Sequence, residues 1–273
     1  MLEPGRFFPG LETNGVKSLI CNTHESGGFW VPSDAISAAL IRRLRTSAGI
    51  SEEDIREIET LPITIKDYPA ERPVVRDGER ATDCCLVAEG FCMRSKTIAD
   101  GKRQILSIHI PGEIPDLMSL FLHVMDHDLS TLTPCRLGFI KHETLRKLHR
   151  SRPNVAEIFW RDTLIDAAMF REWIVNVGQR PAPARLAHVI VELRERLRVI
   201  GRVNGNSFEM PLTQEQIGEA LGITAVHANR VIKQLRQDGI VELHRGRVTL
   251  LNEEKLLELA DFDGRYLHQS PAL

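Results

Sequence analysis

The sequence predicts an α+β protein with an N-terminal antiparallel β-roll of jelly-roll type, one long helix and a C-terminal winged helix-turn-helix. Between residues 63 and 140, short β-prone stretches alternate with Asp-Gly and Pro-Gly turn signals, a pattern typical of antiparallel sheets. From Pro153 to about Val177, apolar residues recur at helical spacing. Residues 213–250 contain two capped helix signals followed by a hairpin signal with a basic tip.

The composition is that of an ordinary globular protein. Of the 273 residues, 42% are hydrophobic and 26% are charged, which allows two domains with buried cores. The formal net charge is -2, so a nucleic-acid surface must come from local charge rather than from the total. No apolar run approaches the roughly 18 residues that cross a bilayer, and residues 1–10 lack the pattern of a signal peptide. We therefore expect a cytoplasmic protein with no membrane contact.

The first 150 residues divide into an extension and the β-roll. Residues 1–32 contain scattered Gly, Pro, Asn and Ser without a hydrophobic period, which indicates an irregular extension. The predicted β-roll domain, residues 33–150, opens with a helix from Ser33 to Arg45 and a short helix after Ser51. Turn signals then recur about every 10–13 residues, which favours a sandwich or barrel over βαβ units.

The cysteine pattern indicates no metal or redox centre. The five cysteines are Cys21, Cys84, Cys85, Cys92 and Cys135. None forms a Cys-x-x-Cys pair, and the adjacent Cys84 and Cys85 would point to opposite faces of a strand. This spacing suits neither a structural zinc site nor an easily formed disulfide. We interpret the cysteines as reduced and buried; a redox or iron–sulfur sensor is the alternative. We predict no metal site and no cofactor.

Residues 151–178 form the predicted long helix. Apolar residues such as Phe159, Ile165 and Trp173 share one broad face. Further apolar residues on other sides are Trp160, Leu164, Ala168 and Ile174. A helix that is apolar on more than one side must bury more than one side. One side can pack on the β-roll, and a second copy of the chain is the simplest partner for the other, which makes this a dimerisation helix. Packing within a monomer is the alternative.

A helix-turn-helix motif follows the long helix. Thr213 and Gln216 have the spacing of a capping box at the start of its first helix. Gly218 lets a second helix approach closely, and Gly222 permits a tight turn where a side chain would cause strain. Thr224 then caps the second helix.

The second helix of the motif carries a polar face. Its predicted buried stripe consists of Ala228, Val231, Ile232 and Leu235. His227, Arg230 and Gln234 line up on another side at i, i+3 and i+7. Because side chains near the start of such a helix enter the major groove, and Arg can hold guanine through two hydrogen bonds, Arg230 is the first candidate for base reading.

A basic hairpin completes the motif. His244-Arg245-Gly246-Arg247 separates two β-prone runs and predicts a wing, whose Arg245 and Arg247 would contact phosphates. Residues 179–250 contain eleven Lys or Arg against seven Asp or Glu, so positive charge is concentrated where DNA would bind. We assign residues 179–255 to the winged helix-turn-helix domain and 256–273 to a C-terminal tail. A helical hairpin used only for packing is the alternative.

With these features, residues 35–255 resemble the Crp/Fnr family of bacterial transcription regulators. The resemblance includes the β-roll, the long helix and the motif opening Leu212-Thr-Gln-Glu-Gln-Ile-Gly218. It implies a cyclic-nucleotide-binding-like β-roll, a homodimer on two-fold symmetric double-stranded DNA, and contact with RNA polymerase. It places Thr213 and Gln214 near phosphates, and Thr224 to His227 with Arg230 at the bases. The complete set of expected DNA-contacting residues is Thr213, Gln214, Thr224, Ala225, Val226, His227, Arg230, Lys233, Gln234, Arg245 and Arg247.

The resemblance also has departures in the sensor half. Family members that bind cyclic AMP carry a Gly-Glu pair and then an Arg-Ser pair, whereas here Pro115 and Asp116 stand at the Gly-Glu position. The stretch from Gln104 to Cys135 contains no Lys or Arg, and a buried phosphate needs a charge partner. We therefore predict a degenerate pocket around Gly112, Glu113 and Asp116 that does not respond to cyclic AMP, with the effector unassigned. A phosphate held by backbone N–H groups alone is the alternative.

Other sensor types of the family are also not indicated. Oxygen-sensing members resemble one another in an N-terminal cysteine cluster, and here the extension contains only Cys21. His109, His123 and His127 lie in the β-roll region, but they form no convincing ligand set. A sensing module that acts through protein partners is the second functional hypothesis. An enzyme is the third and is disfavoured, because no Gly-rich phosphate loop, nucleophile elbow or metal triad is present.

Overall fold

The computed structural model describes residues 34–45 and 50–269. The predicted extension with Cys21 lies outside the described residues, as does Ser33 at the predicted start of the first helix. The helices are α1 (Asp34–Leu44), α2 (Glu52–Glu59), α3 (His142–Ser151), α4 (Pro153–Gln179), α5 (Ala182–Val199), α6 (Gln214–Leu221), α7 (Ala225–Gln237) and α8 (Glu253–Ala260). Two short 3-10 helices are η1 (Leu117–Leu120) and η2 (Gly264–Leu267).

The strands form three antiparallel sheets, which confirms the predicted α+β class. They are β1 (Thr64–Tyr68), β2 (Pro73–Val75), β3 (Asp83–Glu89), β4 (Cys92–Thr97), β5 (Arg103–His109), β6 (Asp128–Thr131), β7 (Cys135–Lys141), β8 (Val203–Asn204), β9 (Ser207–Glu209), β10 (Val241–His244) and β11 (Arg247–Leu250). The β-roll consists of a sheet in the order β1-β7-β3 and a sheet in the order β2-β6-β4-β5. The C-terminal domain contains the third sheet, β10-β11-β9-β8.

Successive side chains of β3 pack into two different hydrophobic cores. Cys84 packs in a cluster with Leu86 and Ile140 beneath the helices, whereas Cys85 packs with Leu129 and Leu137 between the two sheets. Side chains alternate in this way because neighbouring residues of a strand point to opposite faces. The turn into β4 depends on Gly90, whose φ is +86° and where a Cβ atom would lie 2.5 Å from the Pro134 carbonyl oxygen.

The long helix α4 has 27 residues and connects the two domains. It buries Phe159, Ile165 and Trp173 against the rest of the chain. The break after α4 is short, because α5 already begins at Ala182 and Pro183 fits its first turn, where no hydrogen-bonded N–H is required.

The C-terminal domain packs four helices on its small sheet. Phe208, Leu235 and Val248 are fully buried in its core. Phe208 lies on strand β9, which pairs with both β8 and β11. Helix α8 crosses the domain boundary predicted at residue 255, and η2 then packs on α4 through Leu267. Among the helices of the described residues, none is long and apolar enough to span a membrane.

Candidate nucleic-acid interface and sensor cavity

Helix α6 begins with the capping box that its sequence predicts. The Thr213 Oγ1 accepts a hydrogen bond from the Gln216 backbone N–H at 3.2 Å, and the Gln216 Oε1 accepts one from the Thr213 backbone N–H at 2.9 Å. These reciprocal bonds satisfy two donors that a helix start otherwise leaves unpaired. The cap therefore fixes where α6 starts and how the chain enters it.

The turn between α6 and α7 depends on two glycines. Gly222 ends α6 in the left-handed region with a φ of +66°, a conformation that glycine adopts without steric cost. A Cβ atom on Gly218 would lie 2.7 Å from the Ile223 carbonyl oxygen and 3.2 Å from the Ala225 nitrogen. The close approach of the two helices thus requires a residue without a side chain in α6.

Helix α7 presents one buried and one exposed side. The Thr224 Oγ1 caps it by accepting a hydrogen bond from the His227 backbone N–H at 3.2 Å. Its buried side consists of Ala228, Val231, Ile232 and Leu235. The side chains predicted to face DNA on and before α7 are all exposed: Thr224, Ala225, Val226, His227, Arg230, Lys233 and Gln234. Val226, at 63% exposure, is an apolar side chain left open on this polar surface, where it would suit contact with a thymine methyl group.

The predicted wing is a tight hairpin of β10 and β11. Its two turn residues, Arg245 and Gly246, both have positive φ, at 48° and 75°, as a two-residue turn that matches strand twist requires. Arg245 and Arg247 are exposed. Arg247 approaches Glu209 only loosely, at 3.9 Å between charged atoms and in solvent.

Between the wing and the two helices lies an open cleft of about 340 Å³. Its cationic lining residues are Lys233, Arg236, Arg245 and Arg247. Its polar residues Asn229 and Arg236 are not among those predicted from the sequence to contact DNA. Arg236 donates to the Leu243 carbonyl oxygen at 3.2 Å, and the Asn229 Nδ2 donates to the Gln214 Oε1 at 2.7 Å. Arg236 could have been proposed from its position within the basic C-terminal domain. The Asn229–Gln214 hydrogen bond could not, because its two residues are 15 positions apart and lie on different helices.

A second cavity, of about 230 Å³, lies between the β-roll, η1, α4 and α5. Its apolar walls include Ile114, Leu117, Met118, Ile165, Met169 and Phe170. Of the three residues predicted for a pocket, only Glu113 lines it. Gly112 forms a turn with a φ of +92°, packed so that a Cβ atom would lie 2.6 Å from the Ala39 carbonyl oxygen. The Asp116 Oδ1 instead accepts a hydrogen bond from the Cys85 backbone N–H at 2.7 Å, and burial raises the pKa of Asp116 to about 7.

The positive charge in this cavity comes from residues outside the stretch between Gln104 and Cys135. Arg43 pairs with Asp162 at 3.1 Å, Arg94 with Asp166 at 2.6 Å, and Arg196 with Glu113 at 2.8 Å. These arginines belong to α1, β4 and α5, so the absence of Lys and Arg between Gln104 and Cys135 did not describe the pocket. Each guanidinium is neutralised by a carboxylate on a different element. Arg94 also lies over the Phe170 ring, 5.4 Å from its centroid.

His109 belongs to the same polar cluster. Its Nδ1 lies 2.9 Å from the Glu113 Oε2, and its Nε2 lies 2.8 Å from the Ser107 Oγ. Burial and the nearby Arg94 lower the pKa of His109 to about 4, so the ring is neutral near pH 7. Burial alone would raise the pKa of Glu113, but Arg196 and His109 hold it below its ordinary value.

The remaining candidate ligands are dispersed. His123 and His127 lie in the loop between η1 and β6 rather than on a helix, and the His127 Nδ1 is 2.6 Å from the Asp126 Oδ1. Within residues 34–45 and 50–269, no group of three or more metal-binding side chains comes together. Cys92 and Cys135 approach within 3.9 Å between sulfur atoms, but both are buried. Burial raises the pKa of the Cys84 and Cys85 thiols, which disfavours the reactive thiolate.

Two protein-family models match separate parts of the chain. Residues 65–152 match the model of the cyclic nucleotide-binding domain, and residues 184–259 match that of the Crp-like helix-turn-helix domain. The transcriptional activator protein FnrL of Cereibacter sphaeroides is 24% identical over 230 residues, which cover 82% of this chain and 92% of FnrL. The nitrogen fixation regulation protein FixK of Rhizobium meliloti is 24% identical over 203 residues, which cover 73% of this chain and 89% of FixK.

Solved structures agree at the level of the fold. FixK2 from Bradyrhizobium japonicum superposes with a TM-score of 0.66 at 23% identity, covering 73% of this chain and 98% of FixK2. The c-di-GMP responsive global regulator CLP of Xanthomonas campestris superposes with a TM-score of 0.60 at 18% identity, covering 74% of this chain and all of CLP. The order of sheets and helices is therefore similar in proteins with little sequence in common.

Proposed function

Because the chain belongs to the Crp/Fnr family of DNA-binding transcription regulators, we propose that it reads a two-fold symmetric DNA site as a homodimer. In this proposal it acts in the cytoplasm without binding cyclic AMP and has no catalytic activity. Contact with RNA polymerase is proposed from the family resemblance alone. The observation that carries the proposal is the continuous exposed surface formed by the start of α7 and the basic wing.

The geometry of this surface suits both kinds of DNA contact, those that read base edges and those that bind phosphates. Arg230 is exposed one turn into α7, on the side facing away from the domain core, where a recognition helix contacts base edges. Arg245 and Arg247 of the wing line the cleft, and their exposed guanidinium groups suit phosphate contacts that position the protein without reading sequence. Thr213 and Gln214, at the start of α6, lie where backbone N–H groups and the helix dipole favour a phosphate.

The homodimer is proposed from the free side of α4. Trp160 is 64%, Leu164 51% and Ile174 72% exposed, although the opposite side of the helix is buried. These three positions fall on one stripe, because Leu164 and Ile174 follow Trp160 by four and fourteen residues, and both offsets return close to the same helix face. A palindromic DNA site matches a protein with two-fold symmetry.

Insensitivity to cyclic AMP is proposed from the ion pairs of the sensor cavity. A cyclic phosphate entering it would have to displace Asp162, Asp166 or Glu113 from an arginine that already neutralises it. Glu113 would then be left buried, and Asp162 or Asp166 partly buried, without its partner, which is unfavourable. The arginines of this cavity are thus already paired with the protein's own carboxylates.

Replacing Arg230 with alanine tests the DNA-reading assignment. A binding site is first selected from randomised duplexes with the wild-type protein, and affinities are then measured by fluorescence anisotropy. We expect Arg230→Ala to weaken binding to the selected site at least tenfold, since one lost bidentate guanine contact costs about 1–3 kcal/mol. Binding to random duplexes should change far less.

Two matched variants control this experiment. Arg245→Ala should weaken selected and random duplexes about equally and reduce the salt dependence by about one charge. Arg56→Ala, an exposed arginine on α2, should leave both affinities unchanged. Equal losses on selected and random DNA with Arg230→Ala would remove it from base reading. Failure of the wild-type protein to select any site would overturn the proposed function.

Calorimetric titration with cyclic AMP tests the sensor proposal. We expect no binding heat and no change in the melting temperature at millimolar nucleotide, because the arginines of the cavity are already paired. Binding at one site per chain with sub-micromolar affinity would contradict the proposal.

A further inference from the structure

The first helix of the helix-turn-helix, α6, contacts the β-roll through a bidentate ion pair. Arg103 of β5 donates from Nε to the Glu219 Oε1 at 3.0 Å and from Nη2 to the Glu219 Oε2 at 2.7 Å. The Glu219 side chain is only 18% exposed and that of Arg103 is 34% exposed. A bidentate, partly buried pair of this kind fixes orientation as well as distance.

Two further hydrogen bonds join α6 to the β-roll beside this pair. The Gln104 Nε2 donates to the Ala220 carbonyl oxygen at 3.3 Å, and the Gln216 Nε2 donates to the Glu71 Oε1 at 3.2 Å. Gln216 is also the capping-box residue, so one side chain links the start of α6 to the β-roll. We refer to the contacts of Glu71, Arg103 and Gln104 with Gln216, Glu219 and Ala220 as the clamp.

The clamp leaves the DNA-reading surface free. It uses only α6, and the reading residues of α7 and the wing stay exposed while it is closed. On its other side, β5 runs into the sensor cavity, where His109 meets Glu113. The β-roll thus fixes the direction in which α7 points without covering it.

We propose that Arg103 and Glu219 are positioning residues for DNA binding, which hold α7 in the orientation that the DNA site requires. The proposal rests on the proposed homodimer. Two recognition helices must enter successive major grooves about 34 Å apart, and this distance is set only if each DNA-binding domain is fixed to the dimer. A loose domain would still bind phosphates, because its cationic surface is unchanged.

Charge reversal of the pair, singly and together, tests the proposal. Arg103→Glu would face Glu71, Glu215 and Glu219, the carboxylates that surround Arg103, and Glu219→Arg would face Arg103. We expect each single variant to weaken binding to the selected site at least tenfold, with random-DNA affinity lowered less than threefold. The double variant Arg103→Glu with Glu219→Arg should recover at least half of the lost affinity on a logarithmic scale.

The preference for one distance between the two half-sites is a second measurement, and general destabilisation of the fold would not change it. Wild-type protein should discriminate strongly against a selected site lengthened by one base pair between its halves, and each single variant should discriminate less. Glu254→Arg, on the exposed surface of α8, controls for the added positive charge, and thermal melting confirms that each variant is folded.

Three results would overturn the clamp. Single variants with wild-type affinity and spacing preference would show that the pair positions nothing. Tighter specific binding by the single variants would show that the clamp opposes DNA binding. A double variant as weak as the worse single variant would show that the pairing itself is irrelevant. In each case wild-type binding is intact, so these results differ from a failure of the proposed function.

Discussion

Replacing Arg196 with methionine is expected to lower the free energy of unfolding by about 3–5 kcal/mol, the cost of leaving buried charge without its partner. Arg196 is 6% exposed and donates to Glu113 at 2.8 Å, to Glu192 at 3.3 Å and to the Ile108 carbonyl oxygen at 2.7 Å. Methionine preserves much of the side-chain volume but provides no donor. Both carboxylates would then stay buried without the positive charge that now neutralises them.

The effect should be large because Glu192 joins several elements. It accepts hydrogen bonds from the Trp173 Nε1 of α4 at 3.1 Å and from the Tyr266 hydroxyl of η2 at 2.8 Å. Burial raises the pKa of Glu192, and Arg196 limits that rise. Losing Arg196 therefore weakens the connection between β-roll, α4, α5 and the C-terminal segment at the same time.

The loss should depend on pH in a defined direction. In the wild-type protein the pKa of Glu113 lies below its ordinary value, so this group stabilises the fold above the ordinary glutamate pKa of about 4.3 and stops doing so as the pH falls. In the variant the carboxylates gain protons on folding, which favours the fold at lower pH. We expect the difference between variant and wild type to be largest near pH 7–8 and to shrink toward pH 5.

Urea denaturation followed by tryptophan fluorescence at several pH values measures this effect. Arg198→Met provides the matched control, because Arg198 lies two residues away on α5, with a side chain that is 64% exposed, and pairs only with Glu195 in the salt bridges of the described chain. Its midpoint should stay close to that of the wild type. An Arg196→Met midpoint equal to that of Arg198→Met would refute the expected effect, as would a difference that does not change with pH.

The helix-turn-helix could be predicted in detail because its determinants are local. The caps of Thr213 and Thr224 act over three residues, and the glycine turn at Gly222 over one. Interactions between near neighbours leave a recognisable spacing in the sequence. The alternation of Cys84 and Cys85 between two cores was predictable for the same reason.

The sensor cavity and the clamp could not be predicted, because their partners are distant in sequence. Arg94 and Asp166 are 72 positions apart, Glu113 and Arg196 83, and Arg103 and Glu219 116. No periodicity links such pairs, and the residues around Glu113 in the sequence give no sign of the arginines that other elements supply. Residues 256–273 could be assigned only as a C-terminal tail, although the Tyr266 hydroxyl donates to Glu192.

The exposed side of α4 forms a largely apolar stripe that one arginine interrupts. Its positions are Trp160, Leu164, Ala167, Arg171 and Ile174, and Arg171 is the one charged member. The helix has 27 residues, so a second copy packed alongside could bury the stripe over several turns. Leu164 lies in the stripe and is 51% exposed in the single chain, so a polar side chain there should cost the monomer little.

Leu164→Asp is therefore expected to convert the protein to a monomer and to weaken binding to the selected palindrome at least a hundredfold. A monomer engages one half-site and loses the effective concentration that linking two half-sites provides, commonly about 10²–10⁴.

Leu251→Asp is the matched control, since Leu251 is 52% exposed and follows β11 at the end away from the wing tip; it should leave the mass at two chains. Sedimentation velocity gives the mass, and anisotropy gives the affinity for whole and half sites. A Leu164→Asp protein that remains dimeric would contradict the assignment of this stripe, and a wild-type protein that is monomeric on the palindrome would contradict the homodimer itself.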